Sequence, residues 1–133
     1  MKTFDVQSVE LGVSPEKAFR FIADPANLPR WAQAFKRVAN GVAWLQTPKG
    51  EVEIGLEVDA SVEAGTIDWA MHFPDGSIGH AYSRVITHEG DGSLYSFILT
   101  APPVPLEELE GTLRQQSRIL KEELATLRGL LEG

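Results

Sequence analysis

Apolar residues along this chain repeat at two spacings, and the changes between them divide it into three stretches. Near the N-terminus Phe4 and Val6, then Val9 and Leu11, alternate with polar residues as in a half-buried strand. A change of phase near Ser8 predicts a bulge there. Helical spacing follows. Ser14-Pro15-Glu16-Lys17 predicts a helix start, with Ser14 as N-cap and Pro15 at the first helical position, and Ala18, Phe19, Phe21 and Ile22 continue it. Asp24-Pro25 ends that helix and caps a second, from Ala26 to about Ala34, carrying Leu28, Trp31 and Phe35. Neither helix is long enough to be stable alone, so both must pack on something else.

From about Lys36 to Thr100 the pattern is that of strands and turns. Thr47-Pro48-Lys49-Gly50 and Phe73-Pro74-Asp75-Gly76 share the form x-Pro-x-Gly. That suits a three-residue hairpin loop, with proline in a type I turn and glycine left-handed. In the first hairpin such a loop pairs Gln46 with Val52 and Trp44 with Ile54. One face then carries Val42, Trp44, Gln46, Val52, Ile54, Leu56 and Val58, and the other Glu51, Glu53 and Glu57. In the second hairpin Met71 pairs with Gly79 and Trp69 with Ala81. Ile67, Trp69, Met71 and Phe73 then face inward with Gly79, Ala81, Ser83 and Val85, while Asp68, His72, His80, Tyr82 and Arg84 take the polar face. A four-residue loop would instead turn His80, Tyr82 and Arg84 inward. A last strand, residues 94–100, follows the turn Glu89-Gly90-Asp91-Gly92, and Ala101-Pro102-Pro103-Val104 is a stiff link.

Residues 105–131 return to helical spacing. Leu106, Leu109, Leu113, Leu120, Leu124, Leu127 and Leu131 form one apolar stripe, Pro105 suits the first turn, and Glu107, Glu108 and Glu110 complement the N-terminal dipole. Such a helix would be roughly 40 Å long. Its stripe is broken at Gln116 and Ser117, so either a polar neighbour or a cavity should lie opposite.

Composition narrows the picture. At 133 residues the chain, 1–133, reads as a single domain large enough to bury a core, with an ordinary apolar fraction of 43%. No apolar run approaches a bilayer span, and the N-terminus lacks the apolar core of a signal peptide, which fits a cytoplasmic protein. With no cysteine, neither a disulfide framework nor a thiolate site is available. The formal net charge of −7 argues against nucleic acid or membrane insertion as a mode of partnership.

The order is a strand, two short helices, a meander of about six strands and one long C-terminal helix. A sheet with one apolar face and a single amphipathic helix to cover it closes by curling round that helix. This α+β arrangement, a curved antiparallel sheet of 6–7 strands around the final helix with two short helices after strand 1, resembles the helix-grip fold of the birch-pollen-allergen and START-like (SRPBCC) superfamily. It looks most like bacterial polyketide cyclase/dehydrase-type members. The resemblance is carried by the stretch from Ser14-Pro15-Glu16-Lys17-Ala18-Phe19 through Asp24-Pro25-Ala26-Asn27-Leu28-Pro29-Arg30-Trp31. It implies an internal cavity between sheet and helix. It says little about function, because the superfamily includes binders, lipid carriers, cyclases, hydrolases and co-chaperones.

Candidate chemistry follows from which side chains face that cavity. Trp31, Phe35, Trp44, Trp69 and Phe73, with Ile54, Leu56, Met71, Leu113 and Leu120, would wall a pocket for a small hydrophobic or aromatic molecule, although a filled core would use the same residues. Gln46, Ser83, Gln116 and Ser117 would be its polar contacts, orienting a hydroxyl or carbonyl or simply bonding one another. This first reading needs no cofactor and no metal. A second is a cyclase or dehydratase with His80, Tyr82 and Arg84 as acid–base groups, open only if the loop register turns them inward. His72 and His80 with Asp68 also form a candidate metal set, more simply read as a solvated face. A third is an interaction module, with a second copy of the chain as the candidate partner.

Overall fold

The computed structural model describes residues 3–47, 50–101 and 113–133. Seven strands make one antiparallel sheet: β1 (Phe4–Leu11), β2 (Phe35–Ala39), β3 (Val42–Thr47), β4 (Gly50–Ser61), β5 (Thr66–His72), β6 (Ile78–His88) and β7 (Gly92–Thr100). Their order is β1-β7-β6-β5-β4-β3-β2, so the first strand returns to lie beside the last. Between β1 and β2 come α1 (Pro15–Ala23), a 3-10 turn (Pro25–Asn27) and α2 (Leu28–Trp31); α3 (Leu113–Glu132) closes the chain. The expected start of the last helix, from Pro105 to residue 112, lies outside the described residues.

Local chemistry sets the helix ends. The Ser14 hydroxyl accepts the Lys17 N–H at 3.2 Å, with Pro15 in the first turn, as the sequence predicts. The second helix is shorter than expected: the Asp24 side chain caps a 3-10 turn through the Ala26 N–H, and α2 ends at Trp31. The Gln33 N–H that would extend α2 donates instead to the Glu123 carboxylate of α3 at 2.6 Å.

The second hairpin has the register read from its turn. The Gly76 N–H reaches the Phe73 carbonyl at 2.9 Å, Gly76 is left-handed with φ +89°, and Met71 pairs with Gly79 and Trp69 with Ala81. The first hairpin does not follow its expected register. Thr47 pairs with Gly50, so Leu45 rather than Gln46 lies opposite Val52, and Trp44 lies opposite Glu53. One residue of slip exchanges the faces of β3 relative to β4. Ala43 and Leu45 point into the core beside Ile54 and Leu56, while Trp44 lies on the outer face beneath the Arg37 guanidinium, 4.5 Å from its ring. The turn residues 48 and 49 lie outside the described residues.

β1 is also corrected. It pairs with β7 in unbroken register from Phe4 to Leu11, without a bulge. Asp5, Gln7, Val9 and Leu11 face inward, leaving Phe4 and Val6 about half exposed on the outer face.

α3 lies across the concave face against β1, α2 and β7. Leu120, Leu124, Leu127 and Leu131 are buried from its leucine stripe and join Leu11, Ala18, Ile22 and Tyr95 in the core. Polar ties hold it at both ends. Near its N-terminal end the Ser117 hydroxyl donates to Asp5 at 2.5 Å, and the Gln7 amide donates to the Ser117 carbonyl at 2.6 Å and to Asp5 at 2.9 Å. At its C-terminal end Glu132 accepts the Gly12 N–H at 2.7 Å, and the Lys17 ammonium reaches the Leu131 carbonyl.

Candidate functional site

Between the concave face of the sheet and α3 lies a pocket of about 540 Å³. Its origin can be traced to strand register. Ala81 of β6 is flanked by Trp69 on β5 and Leu99 on β7, so a small residue sits between two large ones and leaves space above itself. Trp69 stacks on Phe97 with ring centres 5.6 Å apart, and Trp31 of α2 meets Trp69 edge-on at 6.4 Å. Leu56, Met71 and Leu99 complete the floor, Leu28, Ala32 and Phe35 the side, and Gln116, Ile119 and Leu120 of α3 the roof. The rim, as the described residues define it, carries Gln33, Ala34, Gln46, Ile78, His80, Thr100, Ala101 and Glu123.

Of the residues expected to wall a pocket, Trp31, Phe35, Leu56, Trp69, Met71, Gln116 and Leu120 line this one, and Gln46 borders it. The others are elsewhere, each for a physical reason. Trp44 is carried to the outer face by the one-residue register difference. Ile54 and Phe73 are buried in the core, away from the pocket lining. Ser83 is buried beside Phe97, and its hydroxyl donates to the Ile67 carbonyl at 2.6 Å. Leu113 and Ser117 face β1 instead, where with Asp5, Arg114 and Arg118 they line a second hollow of about 480 Å³. The polar step in the leucine stripe therefore answers to both expectations at once: Ser117 meets polar neighbours, and Gln116 meets the pocket.

His80, Tyr82 and Arg84 alternate with buried Ala81, Ser83 and Val85 and so lie on the outer face, as a three-residue loop requires. His80 stacks on Tyr82 with ring centres 6.0 Å apart and touches the pocket as an exposed rim residue. The Arg84 guanidinium donates to the Ala64 carbonyl at 3.0 Å. As a metal set His72, His80 and Asp68 do not come together; His72 lies 2.7 Å from Glu57, and no three metal-binding side chains cluster among the described residues.

Two residues of the pocket wall, Trp31 and Trp69, each bury a polar group, the indole N–H, that has no partner among the described residues. Behind Phe97 lies Tyr95, fully buried, with its hydroxyl near that of Ser83 but outside hydrogen-bond geometry to it. Burial pushes its phenol far above the ordinary range, more than offsetting the nearby Ser83 hydroxyl, so it stays neutral. Among the described lining residues the only carboxylate is Glu123, and no Lys or Arg is present.

Phe97 and Leu99 line the pocket without having been singled out in the sequence, as do Ala81 and Leu28, which were read as inward-facing or helical apolar positions but not as pocket residues. The signal for them was present. Glu89-Gly90-Asp91 sets the β6–β7 register, which places Phe97 opposite Ser83 and Leu99 opposite Ala81.

No protein-family model matches the chain, and no curated protein matches it significantly. Solved structures do match along its whole length. One is a START superfamily protein from Mycobacterium smegmatis, with TM-score 0.68, 14% identity and 98% of both chains covered. Another is the protein XoxI from Bacillus cereus, with TM-score 0.71, 18% identity, and 98% of this chain and 96% of that one covered. A third is the di-domain ARO/CYC protein BexL of the BE-7585A biosynthetic pathway, with TM-score 0.69, 15% identity, and 99% of this chain and 47% of that one covered. At such identities the likeness is one of fold. The chain has the helix-grip fold: an open seven-stranded antiparallel sheet around a long C-terminal helix.

Proposed function

We propose that this chain binds a small hydrophobic or aromatic molecule in the pocket between its sheet and α3, and that it does so without a cofactor. The observation that carries this reading is the aromatic wall of Trp31, Trp69 and Phe97 around about 540 Å³ of space. A core aiming only at stability would fill that volume, because unfilled space forfeits dispersion contacts. A pocket of this size and lining suits a compact organic ligand. The START and ARO/CYC names of similar folds are compatible with the reading and do not choose a ligand.

A cyclase-type reaction has weaker support. Acid–base catalysis needs a titratable group within reach of the substrate; Tyr82 and Arg84 project from the opposite face of the sheet, which leaves His80 and Glu123 at the rim as the titratable groups among the described lining residues. Native mass spectrometry of freshly purified protein tests the binding reading. A co-purified small molecule, released on gentle activation, is expected; protein that flies only at its own 14.6 kDa mass and stays so when mixed with naphthalene-sized aromatics would overturn it.

A further inference from the structure

Resting on the reading of this pocket as a ligand site, we propose that its ligand is a neutral, flat molecule bearing a hydrogen-bond acceptor, and that carboxylic acids are rejected. Charge supports the first part. Among the described lining residues Glu123 is the only carboxylate, and none is a Lys or Arg. An acid entering this pocket would leave its charge desolvated, unpaired and beside a like charge.

Hydrogen bonding supports the second part. The Trp31 and Trp69 indole N–H groups are donors without acceptors among the described residues, in residues only 4% and 5% exposed. A donor stripped of water and left unmet is costly, and an arriving carbonyl or ether oxygen removes that cost. Neither nitrogen is open to water, so the ring must turn slightly for an acceptor to reach it. Flatness follows from the Trp69–Phe97 stack, which offers a planar aromatic surface to slide against.

Three probes of one shape separate the terms: 2-acetonaphthone carries a neutral carbonyl, 2-ethylnaphthalene lacks an acceptor, and 2-naphthoate is an anion. Calorimetric titration should show the ketone binding about tenfold more tightly than the hydrocarbon, the equivalent of one hydrogen bond. The naphthoate should bind at least about tenfold more weakly than the ketone. In a 15N-labelled sample, the indole N–H resonance of Trp31 or Trp69 should move downfield with the ketone only, while that of Trp44, on the outer face, stays still. Trp69→Phe and Trp31→Phe assign the resonances, and at least one should erase the ketone's advantage over the hydrocarbon. Equal binding of ketone and hydrocarbon with no indole shift, or tightest binding of the naphthoate, overturns this inference and leaves the pocket reading standing. If none of the three binds, the pocket reading itself falls.

Discussion

Replacing Ser117 by alanine should loosen the hold of α3 on the sheet. The Ser117 hydroxyl donates to Asp5 at 2.5 Å, and Asp5 is only 8% exposed. The Gln7 amide also contacts that hydroxyl, at 3.2 Å. The substitution removes a hydrogen bond to a buried carboxylate and supplies no replacement donor. Hydrogen bonds to charged groups contribute about 1.5–3 kcal/mol, and a buried acceptor left short of donors adds to the loss. We therefore expect about 2 kcal/mol of destabilisation. For a domain between the two sizes for which the scaling is known, that corresponds to a melting temperature lower by about 6–10 °C. Urea unfolding should give the free energy with an unchanged slope, since the surface exposed on unfolding is the same. Ser117→Ala made in an Asp5→Ala background should cost much less, because the shared interaction is already gone. A loss below about 0.5 kcal/mol in the wild-type background, or full additivity with Asp5→Ala, would refute the idea that this cluster secures the helix.

Three further outcomes follow from the same structure. Gly65 is left-handed, with φ +75°, and a Cβ there would collide with the Val85 carbonyl, so Gly65→Ala should cost about 3 kcal/mol or more in chemical denaturation. Tyr95 has its pKa raised by burial, so its contribution is complete below the unfolded-state value of 10.0 and is lost as pH rises beyond it. Stability from that residue should fall by up to about 1.4 kcal/mol per pH unit above about pH 10, and Tyr95→Phe should abolish that component while costing little at neutral pH. Glu132 is held below its ordinary value of 4.5 by the Gly12 N–H and then by Arg128, so its contribution is present above that value and lost as pH falls through the lower, folded one. Wild type should accordingly melt above Glu132→Gln at neutral pH, with the gap closing in acid.

Much of the fold was legible because local chemistry and long-range packing agree. The N-cap at Ser14, the Phe73–Gly76 turn and the leucine stripe of α3 from Leu120 to Leu131 each specify structure within a few residues and are found as read, while Leu106 and Leu109 lie outside the described residues. The misread elements depend on partners far along the chain. Phe4 and Val6 look like the inward face of β1, yet Asp5 and Gln7 take it because Ser117, more than a hundred residues away, satisfies them. A buried polar pair reverses the periodicity signal on both of its strands or helices, and neither half explains the other until they meet. The misplacement of Trp44 has a different cause. Asn40-Gly41, left-handed at both residues with φ 53° and 78°, pairs Ala39 with Val42 and so sets Trp44 opposite Arg37 on the outer face. The pocket itself was only partly legible: the aromatic residues could be named, but whether they close on one another depends on Ala81 lying between Trp69 and Leu99, a fact of register.

The most direct test of the account compares wild type with Ala81→Phe by native mass spectrometry after parallel purification. Ala81 lies on the pocket floor, and a phenyl group there projects into the space that the ligand is proposed to take. Overpacking at that site should cost no more than about 1–3 kcal/mol, because the added ring enters a hollow and not a filled core. The account predicts a small-molecule adduct on wild type and none on a folded Ala81→Phe protein; the same adduct on both proteins, or on neither, would contradict it.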